Sequence, residues 1–352
     1  MKRVVAVGCL CVVLVLAGCM GVGFPPTEPA EAPTGEPTDE PSSPPPTGTF
    51  EVHAINVGQA DATLLRTDEE TMLIDSGDWR DDGETVIEYL DAHGVDRIDH
   101  LISTHAHADH IGGHEAVIDH YETEREGVGA VYDSGVPSTS QTYERYLDSI
   151  DRHDVTLFEV RENDEIPFSG TRTVVRSPPY PPGDSLNDNS VAVIVAFGDT
   201  TFLFTGDAER DMESRMVDAH GDALEADVYH AGHHGSNTSS SAEFLDVVGP
   251  EIAIVSAAYD SPYGHPHDEP LERFAERDIR AVWTATHGSI VFESDGTNIS
   301  VRTQHEVTMS PLELDDASEA TAKPTAPATE RTVIRPASTV QQQVQPRTEV
   351  AL

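Results

Sequence analysis

Ser103-Thr104-His105-Ala106-His107-Ala108-Asp109-His110-Ile111-Gly112-Gly113-His114 is the stretch whose reading decides the fold of this chain. Three histidines and one aspartate fall between His105 and His110, and two glycines and a further histidine follow. Leu101 and Ile102 form the apolar centre of a short strand expected over Ile98 to Ser103, and Ile111 to His120 reads as a helix. The cluster therefore sits on a strand-to-helix loop, a place from which a rigid scaffold projects functional residues. One residue separates His105 from His107, so in extended chain their side chains point the same way. Asp109 and His110 fall where the helix is expected to begin, and Gly112-Gly113 leave room for close approach of backbone or ligand. Imidazole nitrogen mixed with carboxylate oxygen is the donor set of zinc and its divalent neighbours.

His-x-His-x-Asp-His, running on into Ile-Gly-Gly, resembles the metal-binding signature of the metallo-β-lactamase superfamily. The resemblance implies an α/β fold, an αββα four-layer sandwich with metals at one edge between two sheets. It also implies hydrolysis of an ester, amide or phosphodiester, and leaves the substrate open.

Further outward, Val52 to Val57, Asp61 to Arg66 and Thr71 to Asp75 read as three strands. Asn56-Val57-Gly58-Gln59-Ala60-Asp61 resembles the Asp-Val-Gly-Gln-Gly-Asp opening of the metallo-β-lactamase module in ComEC-type competence DNA-uptake proteins, departing at Asn56 and Ala60. Asp75-Ser76-Gly77 is read as a strand-ending turn without chemistry. Glu84 to His93 reads as a helix ended by Gly94, and Thr139 to His153 as another. Val191 to Phe197 is unbroken apolar sequence, expected to be a central strand covered on both faces. The alternation of strands and helices fits a layered α/β domain.

Three further blocks carry the competence-type resemblance. Thr205-Gly206-Asp207 ends a strand and opens a helix, where the superfamily's aspartate bridges two metal ions; a helix N-cap is the alternative role of Asp207. His230-Ala231-Gly232-His233-His234-Gly235-Ser236 matches a His-His-Gly-Ser block, in which one of His233 and His234 ligates the second metal and the other faces the substrate; His234 is the preferred ligand. Tyr263-Gly264-His265-Pro266-His267 matches a third block, with His265 as the site residue. The resemblance thus implies His105, His107, Asp109, His110, Asp207 and His234 as metal ligands, and Asp109, His233 and His265 as catalytic residues. Many family members supply a third histidine to the first metal; here the matching segment, Ser185 to Ser190, has none. Asp188 or Asn189 is expected in its place, giving a looser site that suits manganese as well as zinc.

All three cysteines, Cys9, Cys11 and Cys19, precede the domain, which leaves it without disulfide or thiolate ligand. Met1 to Gly18 has the charged start and apolar run of a signal peptide, and Leu16-Ala17-Gly18-Cys19 resembles a lipobox. Residues 19–49, a lipidated Cys19 and a linker with nine prolines, would hold the domain off the outer face of the cytoplasmic membrane. The domain is expected over 50–304, and residues 305–352 as a disordered tail.

The formal charge is −42, and the only lysines, Lys2 and Lys323, lie outside 50–304. Acidic residues with arginine as nearly the sole cation resemble the composition of proteins from salt-loving archaea. In about 1 M salt the Debye length is roughly 3 Å, so this charge does not exclude a polyanionic substrate. The reading is an exported, lipid-anchored hydrolase with two divalent ions, zinc first and manganese second, cleaving DNA at the cell surface, either beside a separate membrane channel or to scavenge nucleic acid. Two alternatives stand: hydrolysis of another phosphoester or a lactone, and a metal- or DNA-binding lipoprotein without turnover.

Overall fold

A computed structural model describes residues 48–336; the segment expected to be a signal peptide, Cys19 and most of the proline-rich stretch lie outside the described residues. The strands, in chain order, are β1 (Phe50–Ala54), β2 (Thr63–Arg66), β3 (Thr71–Ile74), β4 (Ile98–Ile102), β5 (Val128–Asp133), β6 (Thr156–Glu159), β7 (Glu165–Ile166), β8 (Arg172–Ser177), β9 (Ala192–Phe197), β10 (Thr200–Phe204), β11 (Val228–His230), β12 (Ile252–Val255), β13 (Arg280–Trp283), β14 (Ile290–Ser294), β15 (Ile299–Thr303) and β16 (Thr329–Ile334). They form a nine-stranded sheet in the order β16-β15-β14-β1-β2-β3-β4-β5-β6 and a seven-stranded sheet in the order β13-β12-β11-β10-β9-β8-β7.

The two sheets bury their facing sides against each other. Phe50, Val52, Val193, Val195, Phe202 and Phe292 meet in this inner layer, with the Phe50 and Phe202 rings edge to face at 5.3 Å. Helices α1 (Glu84–Ala92), α2 (His114–Glu124) and α3 (Gln141–His153) cover the outside of the larger sheet through Leu90, Val117, Ile118 and Tyr146. Helices α4 (Arg210–His220), α5 (Ala242–Val248) and α6 (Asp268–Ala275) cover the smaller sheet through Met212, Met216, Leu245 and Phe274. The result is the expected αββα sandwich. β9 shows why its sequence is continuously apolar: Val193 and Val195 face the inner layer, whereas Ala192 and Ile194 face α4.

β3, β4 and β5 run parallel, as do β10, β11 and β12. Their carboxyl ends release the loops 75–83, 103–113, 205–209, 231–241 and 256–267, which meet at one edge of the sandwich. Crevices outside the carboxyl ends of parallel strands are where such sheets bind ligands.

Two boundaries differ from expectation. α2 starts at His114 rather than Ile111, so Asp109 and His110 sit on an irregular loop. A Cβ on Gly112 would lie 2.1 Å from the Trp79 amide nitrogen, and one on Gly113 2.5 Å from the Ser76 carbonyl, so the backbone here is wedged against 76–79 instead of coiling early. The domain also continues past Gln304. β16 extends the larger sheet by pairing antiparallel with β15, Leu314 is fully buried, and the Ala281 amide donates to the Met309 carbonyl. A disordered tail from 305 is therefore wrong as far as residue 336.

Candidate metal centre

The loop after β4 is pinned from several sides. Thr104 donates its amide and hydroxyl to the Asp75 carboxylate at 2.9 and 2.6 Å. The amides of Asp61, Ser76 and Trp79 donate to the carbonyls of Asp109, His110 and Ala108, and the Val191 amide to that of Thr104. Residues 105–110 are thereby held by β3's exit loop, the β1–β2 connection and the start of β9, a rigid mount for side chains that must converge.

They converge on Asp207. Nε2 of His105 lies 2.8 Å from Nδ1 of His107 and 3.6 Å from Oδ2 of Asp207. The other oxygen, Oδ1, lies 3.2 Å from Nε2 of His110 and 3.9 Å from Nε2 of His234, and that last nitrogen is 3.4 Å from Oδ2 of Asp109. One carboxylate thus presents one oxygen to each of two donor groups. Asp207 does not cap α4, whose N-cap is Glu209; its amide donates to Ser190 Oγ at 3.1 Å.

The donors fit a cation. His110 Nε2, His234 Nε2 and Asp207 Oδ1 are buried and have no hydrogen-bond partner, a costly state for groups that could otherwise face water. Their opposite nitrogens are committed: His110 Nδ1 lies 2.8 Å from Asp75 Oδ2, and His234 Nδ1 3.0 Å from the Ser256 carbonyl. Such outer partners fix the tautomer that leaves Nε2 free for a metal. The charge balance agrees. Burial would raise the Asp207 carboxyl, yet His110 and His234 hold it well below the usual carboxylate range. Burial would depress His110, yet Asp207 and Asp75 hold it well above its ordinary value. The carboxylates of this edge demand positive charge at its centre.

The remaining residues divide by position. His233 and His234 both adopt left-handed backbone, with φ of 50° and 55°, a conformation uncommon for non-glycine residues and clustered at functional sites. The turn sends His234 inward, 2 % exposed, while His233 stays at the mouth with Nδ1 3.1 Å from Glu209 Oε1 and Nε2 3.6 Å from Asp207 Oδ2. His265 lies above them, its ring centroid 5.7 Å from that of His233 and 6.2 Å from that of His234. Gln59 accepts the Ala258 amide on Oε1 and so turns its NH2 toward His265 Nδ1, 3.3 Å away, which leaves the proton of the neutral ring on Nε2. Burial and then the neighbouring His234, His267 and His233 bring the His265 pKa down to about 4. His267 is the N-cap residue of α6 and accepts the Asn237 amide.

Two expectations need correction. Asn189 is consumed in shaping its own loop, accepting from the Gly183 amide and donating to the Gly183 and Ser185 carbonyls; Asp188 accepts from the Ser185 amide. Neither joins His105 and His107. Asp75, read as a mere turn residue, is the buried partner of His110 and Thr104. Sequence reasoning also passed over Asp61, which is 6 % exposed, with Oδ1 3.5 Å from His230 Nε2 and 3.6 Å from His234 Nδ1. Asp61 stands on the Nδ1 side of His234, behind the nitrogen that faces Asp207. Its signal was present, as the last residue of the Asn56-to-Asp61 block.

Comparisons with known proteins identify the family. The model of the metallo-beta-lactamase superfamily matches residues 55–259. ComE operon protein 3 of Bacillus subtilis (strain 168) is 31 % identical over 259 residues, covering 69 % of this chain and 33 % of that protein. Competence protein ComA of Neisseria gonorrhoeae is 29 % identical over 250 residues, covering 70 % and 33 %. The chain therefore spans about a third of the length of these relatives. Among solved structures, the metallo-beta-lactamase fold protein YhfI from Bacillus subtilis aligns with a TM-score of 0.49 at 12 % identity, covering 70 % of this chain and 100 % of that one. With its αββα layers, its His-x-His-x-Asp-His loop and a family match over more than half of its length, the chain belongs to the metallo-β-lactamase superfamily of metal-dependent hydrolases.

Proposed function

We propose that the protein is a two-metal phosphodiesterase that cleaves DNA at the cell surface. The observation that carries the reading is the shared Asp207 carboxylate, one oxygen toward His105 and His107 and the other toward His110 and His234. That pattern suits two divalent ions, zinc or manganese, with Asp109 completing the second group. Ions held there would supply Lewis acidity toward a phosphoryl oxygen and a water acidic enough to attack at neutral pH. The protein's own residues supply the rest. Asp109, whose side chain is 30 % exposed, is the carboxylate at the mouth and can orient the attacking water through its oxygen. His265 offers Nε2–H to negative charge developing on the phosphate, and His233, braced by Glu209, stands beside it at the rim.

DNA as substrate draws support from the relatives, one named a competence protein and another, from Haemophilus influenzae, named Recombination protein 2. Export and anchoring through a lipid on Cys19 belong to the same proposal, and a separate channel would be its neighbour in any uptake role. Cys19→Ser should then shift the protein from the membrane fraction to the medium.

The test is cleavage of single- and double-stranded DNA by the full chain in about molar salt, with manganese or zinc, beside Asp109→Asn. Cleavage by the wild type, lost in the variant, is expected. Hydrolysis restricted to a small phosphoester or a lactone would refute the DNA substrate, and metal bound without turnover on any of them would refute the enzyme.

A further inference from the structure

We propose that Trp79 and Tyr263 form a stacking subsite for unpaired nucleobases flanking the metal centre. Both are large aromatic side chains left in water, 47 % and 65 % exposed. Both stand beside catalytic-edge residues. The Trp79 amide donates at 3.0 Å to the carbonyl of Ala108, between His107 and Asp109, and the Tyr263 ring lies 5.7 Å from that of His265, tilted by 35°. Arg80, paired with the Asp78 carboxylate at 2.9 Å, places its guanidinium 4.8 Å from the centre of the Trp79 ring and braces the indole.

Charge explains why such a subsite is needed. Nucleic-acid sites usually gain affinity from lysine and arginine on phosphates. Here the segments 75–83, 103–113, 205–209, 230–241 and 256–267 contain one arginine, Arg80, no lysine, and eight aspartates and glutamates. Arg210 and Arg273 border the 231–241 loop but spend their guanidiniums on its Asn237, Ser239 and Ser240 carbonyls, so a strand held at this edge finds few free cations to grip. Stacking on aromatic rings works for any base and does not depend on counterion release, so it persists at high ionic strength. The inference rests on the phosphodiesterase reading and names what part of the substrate lies outside the reacting phosphate.

The chain has two tryptophans, Trp79 and Trp283, and Trp283 is 3 % exposed. Emission from Trp79 therefore reports on the subsite directly. The probe is a hydrolysis-resistant phosphorothioate oligothymidylate, compared with its abasic counterpart, added to the metal-loaded full chain. The oligothymidylate should quench Trp79 and the abasic strand should not, and Trp79→Leu should abolish the change. Between about 0.5 and about 2 M KCl affinity should fall less than about tenfold, where a groove with about six phosphate contacts would lose more than about a hundredfold. In turnover, Trp79→Leu and Tyr263→Leu should each raise KM for an oligonucleotide about tenfold and leave kcat nearly unchanged. Equal quenching by the abasic strand, or unchanged KM in both variants, would overturn the subsite while DNA cleavage stood. A wild type that binds the strand through Trp79 but never cleaves a phosphodiester would instead refute the enzymatic reading.

Discussion

At 2.8 Å, Asp75 Oδ2 takes the Nδ1 side of His110, while Thr104 grips the same carboxylate through its amide and hydroxyl. His110 can then turn only Nε2 toward Asp207. Asp75→Asn keeps the shape but replaces an accepting oxygen with an NH2 group, and metal affinity should fall about ten- to a hundredfold. Competition with a chelator measures this, and unchanged affinity would show that His110 needs no such partner. None of this was legible in Asp-Ser-Gly, because the pairing of residue 75 with residue 110 exists only after β3 and β4 lie side by side. The histidine cluster was legible, since its ligands are close in sequence. A second residue-scale expectation concerns His287, which is fully buried, lies 3.1 Å from the Trp283 amide through Nδ1, and is held neutral. Burial brings its pKa from 6.5 down to about 4. Between those values the unfolded chain binds the extra proton, so stability should rise with pH across this window and fall by about 3 kcal/mol on acidification through it. Denaturant unfolding at several pH values should give a shallower slope for His287→Phe than for the wild type.

The elements hold the centre through close backbone contact. Gly112 has no room for a methyl group against Trp79, and the obstacle is backbone, which cannot swing aside. Gly112→Ala should therefore push the 103–113 loop off 76–79, with a stability loss of about 2–4 kcal/mol and a loss of metal binding larger than that of a surface substitution. Thermal unfolding and metal content check both. The glycine pair was visible in the sequence, whereas its effect on the start of α2 was not, since periodicity carries no record of what presses on a loop. β16 escaped notice for a related reason. Thr329 to Ile334 is an edge strand, exposed at three of its six positions and half-buried at two, with only Ile334 buried, so its apolar alternation is faint. A chain cut after Gln304 would uncover β15 and remove Leu314 from under α6. It should unfold at a lower temperature than the chain ending after residue 336, and equal melting would mean that β16 adds nothing.

The whole molecule carries 63 acidic and 21 basic residues. Arginine pairs such as Arg125–Asp91 and Arg277–Asp246 lie at the surface, where each contributes at most about 1 kcal/mol and is weakened by salt. Repulsion among an excess of 42 negative charges outweighs them, and screening relieves it as the Debye length shrinks from about 10 Å at 0.1 M to about 3 Å at 1 M. The melting temperature should accordingly climb through this range of KCl; a flat or falling trend would mean that the surface pairs dominate.

The central claim is that one carboxylate serves two cations, and metal content after equilibrium dialysis tests it most directly. The full chain should hold two manganese or zinc ions, and Asp207→Asn, folded by circular dichroism, should hold fewer than one. Two ions retained in Asp207→Asn, or a wild type that never takes up a second, would contradict the account.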